Sequence, residues 1–501
     1  MTRGEPIGRR ELLRRGAVGA MALSGAAAFL AACGDGSGGA GARAAAPARR
    51  AAPVDDRPWW LQGNFAPVAR EVETTHLEVD GEIPAGLDGL YVRNGSNPLG
   101  GRSPHWFLGD GMVHGVMLGA GRAAWYRNRY VHTALLAAGG GLAAAGAPGG
   151  AAGLSNVSMA YHGGRLLALG EIGFPYEISP ADLTTVGPFD YAGELAGNMT
   201  AHPKIDPATG RLHGFGYEFT PPYLRYTVVD PDGTLVSTEP VEVRASTMIH
   251  DFAVTERDVV FWEGPVLFDM DLALKMVSDP GADVMPFVWK PEYGSRIGVM
   301  PLGGPAAAIR WVELDEPCFV FHGINAHRAG DDVVIDVCRL DRVFADSTLG
   351  APPRWHRWTV STGGPSLSVR DEAQSDVIGD LPTIDRRRTG RPYRYAYRAE
   401  LRATPATADF AGVTRRDLRT GREVRWDPGR ARSAGEWLFV PSGEGEDEGF
   451  LLSYVYDRAD DSSALVVLDA ADVAAGPVGS VRLPQRVPYG FHATWVPTRP
   501  V

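Results

Sequence analysis

The chain has 501 residues, 44% of them hydrophobic and 22% charged, which is enough to bury a sizeable core and is the composition of neither a disordered nor a polytopic membrane protein. Its 49 basic against 60 acidic residues give a net charge of −11, which repels phosphate backbones at long range, so nucleic acid is not an expected partner. Only three lysines occur, Lys204, Lys275 and Lys290, none in the spacing of a phosphate-cradling loop, and neither a G-x-S-x-G elbow nor an H-E-x-x-H helix is present.

The N-terminus reads Gly8-Arg9-Arg10-Glu11-Leu12-Leu13-Arg14-Arg15 and then runs uncharged from Gly16 to Ala32. A basic start, an apolar stretch and small residues at its end make a signal peptide, and the paired Arg9-Arg10 points to the twin-arginine route. At its end Leu30-Ala31-Ala32-Cys33-Gly34 resembles a bacterial lipobox. Residues 1–33 are therefore expected to be a leader whose Cys33 is acylated, holding the protein on the outer face of the cytoplasmic membrane. Loss of Met1 to Ala32 removes five arginines and two glutamates and takes the charge from −11 to −14. Residues 34–58 are Gly, Ala and Pro with scattered arginines and no apolar periodicity, the composition of a flexible tether.

Beyond residue 59 short β-type runs recur, such as RLLALGEI from Arg165, DVVFWEG from Asp258, DVVIDVCRL from Asp332, FLLSYVYD from Phe450 and SALVVLDA from Ser463. Turn chemistry separates them, as at Pro231-Asp232-Gly233, where proline supplies a fixed φ and glycine a positive one. Helical periodicity over more than about ten residues is scarce, which argues against a doubly wound sheet and for a mainly β domain over residues 59–501. The 441 residues from Leu61 to Val501, divided among seven four-stranded blades, leave 63 each against about 40 to 45 in a minimal blade. That permits a propeller with long loops without selecting one. The Gly/Ala-rich stretch from Leu135 to Gly153 is either an irregular excursion or a small-residue helical lid. Cys318 and Cys338 stand in apolar strand-like runs, where packed thiols are commoner than a bridge.

Four of the twelve histidines have unusual settings: His202 in GNMTAHPKIDP, His250 in TMIHDFAVTE, His322 in CFVFHGINAH and His492 in VPYGFHATWV. Each has apolar or aromatic neighbours at the edge of a strand pattern, and separations of 48, 72 and 170 residues would place them on different blades. Inner strands of a propeller converge on one axis, so imidazoles far apart in sequence can meet there around one metal. Imidazole alone does not choose among iron, copper, zinc and nickel. His327 is set aside because Arg328-Ala329-Gly330-Asp331 reads as an exposed turn. Taken by themselves, YVRNGSNP from Tyr91 and Gly109-Asp110-Gly111 read as tight turns, and His114 as a satisfied core histidine.

These four histidine motifs, in this order, with Tyr91 to Pro98 and HWFLGDGMVHG from His105, resemble the carotenoid cleavage oxygenase family over the whole span from about residue 60 to the C-terminus. That family takes in apocarotenoid and lignostilbene dioxygenases and the vertebrate retinoid isomerase. The resemblance implies an all-β, seven-bladed β-propeller with a loop and helix dome over an axial metal site. It implies Fe(II) held by His202, His250, His322 and His492, and O2-dependent cleavage of a conjugated C=C bond in an apolar alkene. Four neutral imidazoles leave the metal charge uncancelled, so carboxylates should accept hydrogen bonds from the outward ring N–H groups and fix their tautomers. The family pattern points to Glu171 in ALGEIGFPYEI, Asp380 in GDLPTID and Glu446 in GEGEDEGFLLS. Asp380 departs from the usual glutamate, and a side chain one methylene shorter must draw its strand inward or bond through water.

Stilbene cleavers of the family place a lysine after the segment matching Arg127-Asn128-Arg129-Tyr130-Val131-His132-Thr133. Here Ala134-Leu135-Leu136 follows instead, and the first lysine is Lys204. A carotenoid or apocarotenoid is thereby favoured over a stilbene. A non-oxygenase isoprenoid isomerase or carrier, and an inert extracellular propeller scaffold, are the rival functions.

Overall fold

Strand runs that are apolar on both faces must be covered on both, and a ring of stacked blades does this. The computed structural model, which describes residues 56–141, 149–279, 283–345, 350–402 and 409–498, shows that arrangement. Asp258–Glu263 (DVVFWE) is buried at every position, and Asp332–Leu340 at eight of nine. The leader of residues 1–33 with Cys33, and the tether up to residue 55, lie outside the described residues. Among the described residues no helix is long and apolar enough to cross a membrane.

Seven antiparallel blades follow in chain order, as the resemblance implied. The first joins Gly89–Ser96, Gly111–Gly119 and Arg122–Tyr130 to the C-terminal strand Ala493–Pro497, which supplies its inner edge. The second runs from Ser158–His162 to Thr185–Pro188, the third from Lys204–Ile205 to Leu235–Val241, and the fourth from Ala253–Val254 to Arg310–Glu313. The fifth and sixth share the long strand Ser368–Thr383: Ser368 to Ala373 pair with the fifth blade, and Gly379 to Thr383 form the inner edge of the sixth. The seventh starts at Leu438–Pro441 and is completed by the N-terminal strand Val79–Gly81 against Pro477–Arg482. Strands from near the two ends of the described chain thus complete the first and seventh blades and close the ring.

Apolar clusters fill the spaces between neighbouring blades. Val260, Ile297 and Val299 of the fourth meet Val333, Ile335 and Trp358 of the fifth, for example. Gly163 and Gly164, at φ +56° and +73°, make the two-residue hairpin between the first strands of the second blade. Gly233, at φ +89°, closes the predicted Pro231-Asp232-Gly233 turn. Outside the blades stand a short helix Ala134–Ala137 capped by Thr133, a helix Met270–Ser278 capped by Asp269, and a ribbon pairing Val266–Phe268 with Phe287–Trp289. The Gly/Ala-rich segment therefore begins as helix and has a 3-10 turn at Gly149–Ala151, its middle lying outside the described residues.

Two expected turns are something else. Tyr91 to Ser96 lie in a fully buried strand. Asn94 is not a turn residue there: its amide donates to the carbonyls of Ser155 and Ser158. A Cβ on Gly95 would stand 2.6 Å from the Cα of Gly490, so glycine is needed for close approach and not for positive φ. Gly109 and Gly111 likewise have no left-handed φ, and between them buried Asp110 accepts hydrogen bonds from the backbone of Leu99 and Gly141. His114 is the expected satisfied core residue, its Nδ1 2.9 Å from the Tyr126 hydroxyl. Cys318 and Cys338 are free, buried thiols.

Candidate metal centre

The four singled-out histidines sit at corresponding places in four blades. His202, His250 and His492 stand two, three and one residues before the inner strands Lys204–Ile205, Ala253–Val254 and Ala493–Pro497, and His322 lies near the start of Phe319–Ala329. Their rings converge: the Nε2 atoms of His202 and His250 are 3.0 Å apart, those of His322 and His492 3.2 Å, and one ring nitrogen from each lies within 4.8 Å of all the others. Two imidazoles bound side by side to one ion at about 2.1 Å would have nitrogens about 3.0 Å apart, so the donor set fits a single metal. His327 takes no part; its ring lies 6.3 Å from that of Tyr393.

Carboxylates from the remaining three blades face the outer nitrogens. Glu171, just after the second strand of the second blade, bonds His250 Nδ1 and also accepts from the Tyr217 hydroxyl. Asp380 bonds His322 Nδ1 directly at 2.8 Å. The shorter side chain reaches because the strand itself departs from regular pairing: the register shifts between Asp380 and Thr383, and Leu381 takes a left-handed φ of +50°. Each of the seven blades thus contributes one residue to the centre.

The third brace corrects the sequence assignment. Glu446 does not approach a histidine; its Oε1 accepts from the backbone N–H of Arg394 and Tyr395 at 2.6 and 2.7 Å, pinning the start of a sixth-blade strand. Glu436 takes the expected role, with Oε1 2.8 Å from His492 Nδ1 and Oε2 accepting from the Ala493 N–H at 2.6 Å. The available signal was position: Glu436 stands two residues before the inner strand Leu438–Pro441, as His202 does before its own. The acid-rich run from Glu444 to Glu448 lies in the turn beyond that strand.

Electrostatics favour the unprotonated form of His202 and His492 and oppose it at His322. Burial, followed by crowding from His250, His492 and His322, pushes His202 well below the usual histidine range. Burial also lowers His492, more than Glu436 restores it. At His322 burial acts downward but is outweighed by the charge and hydrogen bond of Asp380, and the net shift is upward. Unprotonated imidazole is the form that ligates. Over the centre lies an aromatic wall, with Phe321 5.1 Å from the His250 ring, and Phe107 within 5.9 Å of Phe321 and 5.7 Å of Phe491.

This donor set makes the protein a metal-binding propeller of the four-histidine class. The family profile described as retinal pigment epithelial membrane protein matches residues 65–497. A carotenoid cleavage oxygenase of Mycobacterium tuberculosis is 36% identical over 494 residues, covering 88% of this chain and 97% of its own. Among solved structures, a Pseudomonas brassicacearum lignostilbene dioxygenase superposes with a TM-score of 0.80 at 28% identity, over 89% of this chain and 100% of that one. Cobalt-substituted Synechocystis apocarotenoid oxygenase gives 0.77 at 25%, over 88% and 98%. The chain belongs to the carotenoid cleavage oxygenase family, a family of O2-dependent oxidoreductases.

Proposed function

We propose that the protein is a non-haem Fe(II) dioxygenase that splits a conjugated C=C bond of a carotenoid or apocarotenoid into two carbonyl products. The observation that carries this reading is the convergence of four imidazoles, three of them fixed through their outer nitrogens by Glu171, Asp380 and Glu436. Ferrous iron bound there would supply the electrons that activate O2, chemistry no side chain can provide. The chain's own part is positioning and exclusion. The carboxylates hold the ring N–H groups and so keep each Nε2 unprotonated and aimed inward. Phe107, Phe321 and Phe491 offer an apolar surface against which a polyene can lie and from which water is excluded.

The lysines support a polyene over a phenolic substrate: Lys275 and Lys290 are exposed, and Lys204 is engaged by Asp251 at 2.7 Å. The likeness to a lignostilbene dioxygenase carries the second reading, stilbene cleavage. Anaerobically purified, iron-loaded protein mixed with O2 and a panel of apocarotenals and hydroxystilbenes decides between them. Aldehydes from the apocarotenals, with one O2 consumed per alkene, are the expected result. Cleavage of stilbenes alone would establish the second reading, and bound iron with no alkene cut would defeat both. Twin-arginine export and acylation at Cys33 belong to the same proposal, since a membrane-held enzyme can draw a lipid-soluble alkene from the bilayer. Cys33→Ser should release the exported protein from the membrane fraction; unchanged fractionation would remove the anchor from the account.

A further inference from the structure

Three of the ligands are braced through their rings, but among the described residues no carboxylate hydrogen-bonds the ring of His202. A fourth acid lies close by. Asp251, adjacent to His250, is 1% exposed and makes no bond to any histidine ring. Its Oδ1 is 2.7 Å from Nζ of Lys204, two residues beyond His202. Its Oδ2 accepts from the Gly323 N–H at 2.9 Å, and Gly323 is the residue after His322. One carboxylate, carried beside His250, therefore links the Lys204 side chain near His202 and the main chain beside His322, joining the segments of three ligands from the third, fourth and fifth blades. The surroundings are shaped for it. A Cβ on Gly323 would stand 2.9 Å from Trp262 and 3.5 Å from Asp251 Oδ2, so glycine allows the strand to come within hydrogen-bond reach. The Lys204 ammonium also stands 5.9 Å from the Phe252 ring.

We infer that Asp251 is a further positioning residue of the metal centre, and that its ion pair with Lys204 sets the place of His202 through the chain as the other carboxylates set their histidines through the rings. Asp251 is buried, so removing its Lys204 partner is costly because the carboxylate charge is left unpaired, and the pair ties His202 to the ring. The inference rests on the metal-centre reading. Asp251→Asn preserves an acceptor for the Gly323 N–H while removing the charge that holds Lys204; Lys204→Met removes the other partner, and Lys204→Arg restores a cation.

The test uses full-length protein loaded with iron or with cobalt. Three readouts are taken: the rate of iron release to a chelator, the visible spectrum of the cobalt form, and the melting temperatures with and without metal. Asp251→Asn and Lys204→Met are expected to release iron about 10- to 100-fold faster, as loss of a supporting contact around a metal site does. They should also shift the cobalt bands and shrink the gap between loaded and metal-free melting temperatures. Lys204→Arg should recover most of each, and the double variant should release iron no faster than Lys204→Met alone. Wild-type release rates and cobalt spectra in both single variants, or equal loss of melting temperature with and without metal, would overturn the assignment. Because Lys204 is at the rim of the pair, its two variants give the answer even where Asp251→Asn does not fold. If the wild-type protein itself takes up no stoichiometric metal, it is the metal-centre reading that fails first, which separates the two.

Discussion

His322 and His202 meet at the same point and are held there in different ways. The His322 ring is gripped by Asp380 at 2.8 Å, from the neighbouring blade, and its affinity for a proton is raised by that contact. Within the described residues the His202 ring faces other imidazoles and no acid, and its proton affinity is driven down. The difference shows how a site can be neutral enough to bind a cation yet rigid: anions brace the rings where each has an acid opposite, and the remaining ring is placed by its strand.

Removing a ligand is the strongest way to break this comparison. His250→Ala should abolish stoichiometric metal retention, measured by elemental analysis, and full retention would refute its assignment. Removing a brace comes next. Glu436→Gln should weaken metal binding by about 10- to 100-fold. Glu446→Gln should leave metal binding unchanged and cost about 1–2 kcal/mol of stability through two less well accepted N–H groups, which paired metal titrations and melting curves would check.

Titration of the metal-free protein sharpens the contrast. His322 should take up its proton above the ordinary histidine value of 6.5 and His202 well below it, as ring resonances in an NMR pH series would show. The same linkage sets acid stability. Burial holds His105 at about 3 and His213 at about 4. The unfolded chain then binds protons first, so stability falls as pH drops below 6.5 through those lowered values. His322 works in the opposite sense, and its contribution is lost as pH rises through its raised value. A melting temperature that held constant from neutrality to pH 5 would contradict this. Asp380→Glu should cost about 1–3 kcal/mol because a longer carboxylate must be fitted where a direct bond already exists, with no gain in metal affinity. The smallest effect belongs to reduction: dithiothreitol should leave the melting temperature unchanged, since both described cysteines are free.

The four ligands were legible because each stands in its own apolar motif at a strand edge, a pattern written in the adjacent residues. Asp380 was legible only through the family resemblance, and the means by which it reaches was not: the left-handed Leu381 and the broken register are properties of two paired strands. Glu446 was misassigned because a run of acids carries no mark of which one faces the axis. Glu436, alone in RSAGEWLFV, is selected only by where the inner strand of the seventh blade begins.

The same division explains the region from Tyr91 to Gly111. Asn-Gly and Gly-Asp-Gly are turn signals by composition, yet here the small residues serve close approach to Gly490 and Ser155, partners remote in sequence. The order of residues by itself determined a mainly β domain and singled out four histidines, and the short motifs carried the family resemblance that implied the propeller and the donor set, since all of these depend on local patterning. The tertiary structure alone decided which acid braces which ring, why the glycines are glycine, and that Asp251 joins three blades. Those are contacts between segments up to 395 residues apart, as between Gly95 and Gly490, and a linear pattern does not encode a distance in space.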